Sequence, residues 1–287
     1  MKQTLLNLLP PAMVAALLLF WTNAPAAFVN SDYGLVLVVL AVVTFVQLLE
    51  LGFERHEGWR INGRELATDA FYVVLGFTAI NWLTNHLAES PLLTIKQQLG
   101  IATPWLKTLP LVVQTFMALA LFEFGQYWMH RLMHNNGLFW STHAPHHHIT
   151  QLNAAKGYVG NPIELFLISL SVIALFDFDK AAIFASASVG TAVATFAHAN
   201  VRSDPPAWYS FFFTTIRHHS LHHTALSYED TRCNYGNVLI LYDRIFGTYR
   251  EGESAVVGQD ERRRLTIAEQ FLFPFQPLIN RWKATRA

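Results

Sequence analysis

Charge is what this 287-residue sequence has least of. Asp, Glu, Lys and Arg together make up 14%, against about 25% in an ordinary globular domain. Apolar residues reach 52% and the mean hydropathy is +0.26. So few charges cannot cover a water-facing surface, which argues against a soluble protein and implies that lipid covers part of the chain. An excess of either sign is also missing. The 20 basic and 20 acidic residues cancel, so the basic surface that a nucleic-acid partner calls for is absent. Cysteine occurs once, at Cys233; no intramolecular disulfide can form, and ligation of a metal by thiolates is disfavoured. Internal repeats and low-complexity segments are lacking as well.

Long apolar runs account for the hydropathy. Residues 11–29 read as an uncleaved first membrane helix. Ala24-Pro25-Ala26-Ala27 also offers a signal-peptidase site, but Pro10-Pro11 interrupts a standard signal core and further membrane-like segments follow. Gly34–Gly52 is the clearest span, uncharged before Glu50. After a polar stretch carrying Arg55, Arg60 and Arg64, residues 67–87 form a third run and residues 110–129 a fourth, joined by a connector with Lys96 and Lys107. Residues 162–176 and 181–199 flank Asp177 and Asp179. The first of this pair falls short of the roughly 20 residues that cross hydrocarbon, so the two read as a helical hairpin. The arginines after the second run, with Arg131, Lys156 and the tail arginines, bias one side and place it in the cytoplasm by the positive-inside rule.

Histidine is what the sequence has in abundance, thirteen in all. His130 and His134 stand four apart at the end of the fourth run, where a helix presents both from one face and both reach one metal. His143, His146 and His147 follow at i, i+3 and i+4, and His219, His222 and His223 repeat that spacing. His198 ends an apolar run. These nine imidazoles suit zinc, copper, iron or nickel, and one tetrahedral zinc would use only three or four of them, so the supply argues for two metal ions. Clustered carboxylates of the ferritin-like kind are missing. The Glu of a zinc-protease His-Glu-x-x-His is missing too, Arg131 standing in its place. His56 and His86 read as ordinary surface or core residues. His148 and His218 lie outside the spacing and read as supporting or surface groups.

In this order and spacing the chain resembles the fatty acid hydroxylase/sterol desaturase superfamily of integral membrane di-iron oxygenases. The resemblance runs from about residue 122 to 249. It rests on Tyr127-Trp128-Met129-His130-Arg131 with His134, and on Leu138-Phe139-Trp140 leading to His143, His146 and His147. It continues through Asn161-Pro162-Ile163-Glu164, His198-Ala199-Asn200, the second His-x-x-His-His, Asn234-Tyr235-Gly236 and Asp243 to Tyr249. Two positions depart from the family pattern: Asn161 and Arg202 stand where members often carry histidine.

The resemblance implies an all-α fold, a multi-pass membrane helical bundle with a cytoplasmic histidine-rich cap holding a dinuclear metal site. Together with the apolar runs, whose N-terminal members match the family only in general character, it gives N-terminal transmembrane helices over residues 1–109, a catalytic region over 110–250 and a cytoplasmic tail over 251–287. His130, His134, His143, His146, His147, His198, His219, His222 and His223 would surround two iron ions, with zinc a substitute in purified samples. O2 would be the co-substrate, and a sterol or fatty-acyl type membrane lipid would be hydroxylated or desaturated. Glu164, Asp230 and Asp243 are candidate acceptors for the ligands' N–H groups. No glycine-rich dinucleotide motif or haem domain is visible, so a separate electron donor of ferredoxin or cytochrome b5 type is implied. The expected location is a bacterial inner membrane or the endoplasmic reticulum. A membrane zinc hydrolase and a metal transporter or sensor are the alternatives; a transporter would hold its ligands near the bilayer midplane within spans.

Overall fold

The computed structural model describes residues 2–284, and these are helical apart from turns and two isolated antiparallel bridges, Glu54 with Val201 and Thr224 with Val257. The last three residues of the expected tail lie outside the described residues. Helices α1 (Lys2–Asn23) and α2 (Gly34–Gly52) are long and apolar enough to cross a membrane. A composite helix α3 (Gly63–Gln98) is a third such element. It runs past the expected end at residue 87, because two wide π turns, Gly76–Ile80 and Asn85–Glu89, are spliced into it. Pro91 falls in the first turn after the second of these, where a missing N–H costs least. At about 1.5 Å per residue the whole of α3 is longer than a hydrocarbon core of about 30 Å.

The expected fourth span is the helix α4 (Leu111–Asn135). It has the length, but Gln114, Glu123 and Gln126 dilute its apolar stretch, and it is not among the four helices that qualify by composition. A short helix α5 (Gly137–His147) follows. The expected hairpin is unequal. Its first arm is only the eight-residue α6 (Pro162–Ser169), continued by mostly irregular chain with one tight turn at Ile173–Leu175. Its second arm, α7 (Lys180–His198), is the fourth span-length helix and the most buried of them. Short helices α8 (Ala207–Phe212), α9 (Ile216–His222), α10 (Leu241–Phe246), α11 (Ile267–Leu272) and α12 (Gln276–Ala284) complete the chain.

The core forms around α7. Ala182, Ala185, Ser188 and Ala192 on it are essentially inaccessible, and such small residues let neighbouring backbones approach closely. Val189 and Val193 pack against Val14 and Leu17 of α1, Val42 of α2 and Leu119 of α4. The buried Trp21 indole donates to Ser188 Oγ at 3.0 Å.

Polar contacts define two ends of the bundle. At one, Lys96 pairs with Asp177 at 2.6 Å, and the backbone N–H of Asp179 donates to Gln114 Oε1 at 2.9 Å. The other end carries every clustered histidine. There Gln3 Nε2 donates to the Arg202 carbonyl at 3.1 Å and Asn161 Nδ2 to the Gln270 carbonyl at 2.8 Å. The start of α1 and the segment around α11 therefore meet at the histidine end.

Buried charge fastens the cap to the spans. Lys156 Nζ, 1% exposed, pairs with Glu65 at 2.5 Å and Asp69 at 2.6 Å, both on α3. Glu50 at the end of α2 accepts from the backbone N–H groups of Ala154 and Asn200 at 2.8 and 2.6 Å. Of the tail arginines, Arg262 and Arg263 are exposed and Arg264 is half-buried. Arg264 pairs with Glu65, Arg263 with Glu269, and Arg262 donates to the Thr150 carbonyl.

Candidate metal centre

The nine histidines fall into two buried groups. His130, His134, His143, His147 and His222 form one, and His146, His198, His219 and His223 the other; within each, the potential ligand atoms lie within 4.8 Å of one another. His130 and His134 share a group, but neither His-x-x-His-His box acts from one shared face. The first and last histidines of each His-x-x-His-His go to one group, and the middle one crosses to the other. Helical geometry explains this. Residues four apart are about 40° apart around the axis, whereas adjacent residues differ by about 100°, so His146 and His222 project away from the face that their boxes otherwise share. Where the boxes meet, His147 stacks on His223, with ring centroids 4.3 Å apart and planes 19° apart.

Imidazole orientation is set from outside the boxes. The Nδ1–H of His130 donates to the Tyr235 carbonyl at 2.7 Å and that of His222 to the Cys233 carbonyl at 2.7 Å. His146 donates likewise to the Val159 carbonyl at 2.7 Å, and His198 to Ala194 at 2.8 Å within its own helix. His143 donates to Glu164 Oε1 at 2.6 Å. Of the three carboxylates singled out in the sequence, only Glu164 touches a clustered histidine. Asp243 acts one step away, accepting from the Tyr235 and Gly236 N–H groups at 2.8 and 2.7 Å and so shaping the turn whose carbonyl holds His130. Asp230 pairs with Arg250 at the surface. The four carbonyls carried no sequence signal, because every residue has one.

These tautomers test whether the site fits a metal. With Nδ1–H donated outward, the Nε2 atoms of His130, His143 and His222 carry lone pairs. Yet His130 Nε2 lies 3.0 Å from both His143 Nε2 and His222 Nε2. Lone pairs that close repel unless a cation stands between them. His134 Nε2 and His147 Nε2 each lie 3.1 Å from His143 Nε2. Imidazole nitrogens about 2.1 Å from an ion and at right angles would be about 3.0 Å apart. The Nδ1 atoms of His134, His147, His219 and His223 are buried without a partner, which leaves those rings to be held by what their other nitrogen binds. The residues fit a metal in both groups.

Burial keeps the rings in the ligand-competent neutral form. It pushes His143 down to about 3 and, with neighbouring imidazoles adding repulsion, holds His147, His222 and His223 well below the ordinary histidine range.

The remaining histidines lie outside both groups. His148 caps α5, is buried rather than on the surface, donates to the Arg263 carbonyl at 3.3 Å and packs on Phe273. His218 is also buried, between Thr215 and Tyr249. The two departures from the family pattern contribute no ligand atom to either group. Asn161 caps α6 in a capping box with Glu164, and Arg202 reaches the Glu54 carbonyl.

A cavity of about 610 Å³ opens from His130, His143, His146 and His198 and runs between α3, α4, α6 and α7 toward the far end of the bundle. Leu119, Phe122, Ile168 and Ile183 supply apolar wall. Its volume and lining are those of a small-molecule or lipid-chain site.

The fatty acid hydroxylase family matches residues 115–248. Over 261 residues the chain is 28% identical to ornithine lipid hydroxylase OlsE of Rhizobium tropici, covering 85% of this chain and 75% of that protein. It is 28% identical over 138 residues to human alkylglycerol monooxygenase, covering 47% of this chain and 31% of that one. It is 25% identical over 180 residues to the Delta(7)-sterol 5(6)-desaturase erg3B of Aspergillus fumigatus, covering 59% and 50%. No solved structure matches. The segment matched by the fatty acid hydroxylase family carries all nine clustered histidines, which supports the resemblance to the fatty acid hydroxylase/sterol desaturase superfamily over that region.

Proposed function

We propose that this protein is a membrane-bound, O2-dependent di-iron enzyme that hydroxylates or desaturates a lipid, through a catalytic region over residues 110–250. The observation that carries this reading is the juxtaposition of two buried imidazole groups with the inner end of an apolar-walled cavity between membrane-type helices. Iron would be held by His130, His134, His143, His147 and His222 in one group and by His146, His198, His219 and His223 in the other. Bound iron supplies the redox chemistry that makes O2 reactive toward an unactivated C–H bond, which acid-base groups alone do not attack. The chain's own contribution is positional. The Glu164 carboxylate and the Tyr235, Cys233 and Val159 carbonyls orient the imidazoles and raise their basicity, and the cavity aligns a lipid chain and excludes water. Electrons come from a separate donor of ferredoxin or cytochrome b5 type.

Relatives named for an ornithine lipid, an alkylglycerol and a sterol support a lipid substrate. The zinc-hydrolase reading has no comparable support, and the gathering of the imidazoles at one end of the bundle disfavours a transporter. The histidine end faces the cytoplasm in this proposal: Arg55, Arg60, Arg64, Arg131 and Lys156 belong to it, against Lys96, Lys107 and Lys180 at the other.

The test is iron-loaded protein in detergent, supplied with a reductant, O2 and a membrane lipid extract. The expected result is oxygen uptake, with a lipid that gains one oxygen atom or loses two hydrogens. Lipid cleavage by zinc-loaded protein without oxygen uptake would replace this reading with the hydrolase.

A further inference from the structure

Three polar side chains of α3 line the cavity far from the histidines: Asn81, Asn85 and Glu89. Asn85 is half-buried and Asn81 and Glu89 are exposed, and none has a hydrogen-bond or ion-pair partner among the described residues, so all three are free to meet a molecule in the cavity. The helix is built to align them. An α turn carries residues four apart slightly past a common line, and a wider turn falls short of it. The regular segment Asn81–Thr84 followed by the π turn Asn85–Glu89 cancels these offsets and brings all three to one wall. Such π turns recur at functional sites.

The cavity's other end is fixed by the imidazoles. Ile183 and His198 both line it, and the intervening helix spans about 22 Å at about 1.5 Å per residue. A molecule filling this space is long, apolar along most of its length and polar at the end remote from the metals. We propose that Asn81, Asn85 and Glu89 form a headgroup subsite, selecting a lipid whose polar end carries a protonated amine beside hydrogen-bonding groups. The Glu89 carboxylate only accepts hydrogen bonds and adds charge, which favours an ammonium over a hydroxyl and rejects a phosphate. The two amides both donate and accept and suit a neighbouring carbonyl or N–H. The consequence is that the metals face the lipid chain well away from its head. This assignment rests on the lipid-oxidation reading but is testable without turnover.

The test measures binding to zinc-loaded protein in detergent by native mass spectrometry, with paired lipids of identical chains and either an amine-bearing or a hydroxyl-bearing head. Losing a charged hydrogen bond costs about 1.5–3 kcal/mol, so Glu89→Gln should weaken the amine lipid about 10- to 100-fold and leave the hydroxyl lipid unchanged. Asn85→Leu should weaken the amine lipid by a smaller factor, and both variants should keep two metals per chain. Equal affinity of the intact protein for the two lipids, or an unaltered preference in Glu89→Gln, overturns the subsite. Glu89-dependent binding by a protein that consumes no oxygen when loaded with iron upholds the subsite and removes the oxidation reading instead.

Discussion

Pairs of histidine substitutions separate the crossed grouping from a box-by-box grouping. His147 and His222 come from different boxes but share one group, whereas His146 and His147 are neighbours in sequence and belong to different groups. A zinc held by four ligands in small peptides is worth about 10–16 kcal/mol, or roughly 2.5–4 kcal/mol per ligand. Removing one should therefore weaken its ion about 10²- to 10³-fold. At a free-metal concentration about tenfold above the native dissociation constant, each single alanine variant should keep one metal of two. The doubles are decisive. His147→Ala with His222→Ala should still keep one, because both deletions fall on the same ion. His146→Ala with His147→Ala should keep none. Elemental analysis of detergent-purified protein after equilibration in a metal buffer reads the stoichiometry. Circular dichroism on the same samples checks that the helices persist, since metal loss and unfolding are coupled. The opposite pattern, with the His147 and His222 pair emptying both sites, would refute the crossed arrangement.

Three further outcomes follow from the same geometry. His148→Ala and His218→Ala should each retain two metals by the same elemental analysis, because neither ring belongs to a group; loss of an ion from His148→Ala would shift the register of the His143, His146 and His147 box. Lys156→Met should lower stability by about 3–5 kcal/mol, since it leaves Glu65 and Asp69 without their shared buried cation; thermal unfolding in detergent measures this, and an unchanged midpoint would deny the network its fastening role. In metal-free protein, His143 is buried neutral with its folded value pushed down to about 3 from 6.5. Its contribution is complete above pH 6.5 and is lost as pH falls from 6.5 toward 3. At about pH 5 this one ring removes about 2 kcal/mol, and a melting temperature that rose on acidification from about pH 7 would contradict the sign.

The sequence by itself determined the elements that depend on local pattern. Uncharged runs long enough to cross lipid specify α2 outright, because hydrophobic length is a property of the segment alone. The spacing of His130 and His134 places both on one face of α4, since helical periodicity is equally local. The nine imidazoles were all identifiable by residue type and interval, and Glu164 by its place in the Asn-Pro-x-Glu element. The tertiary structure decided how those imidazoles divide. Which way His146 and His222 point depends on carbonyls of Val159 and Cys233 from other segments, and a carbonyl leaves no mark in sequence. It also decided where α3 ends, because a π turn ahead of Pro91 carries the helix on toward Lys96 and its partner Asp177. Likewise Arg264 is held by Glu65 on a distant helix. A charge finds its counterion only through the fold, so pairing between remote segments belongs to the tertiary structure, whereas helix length and face belong to the sequence.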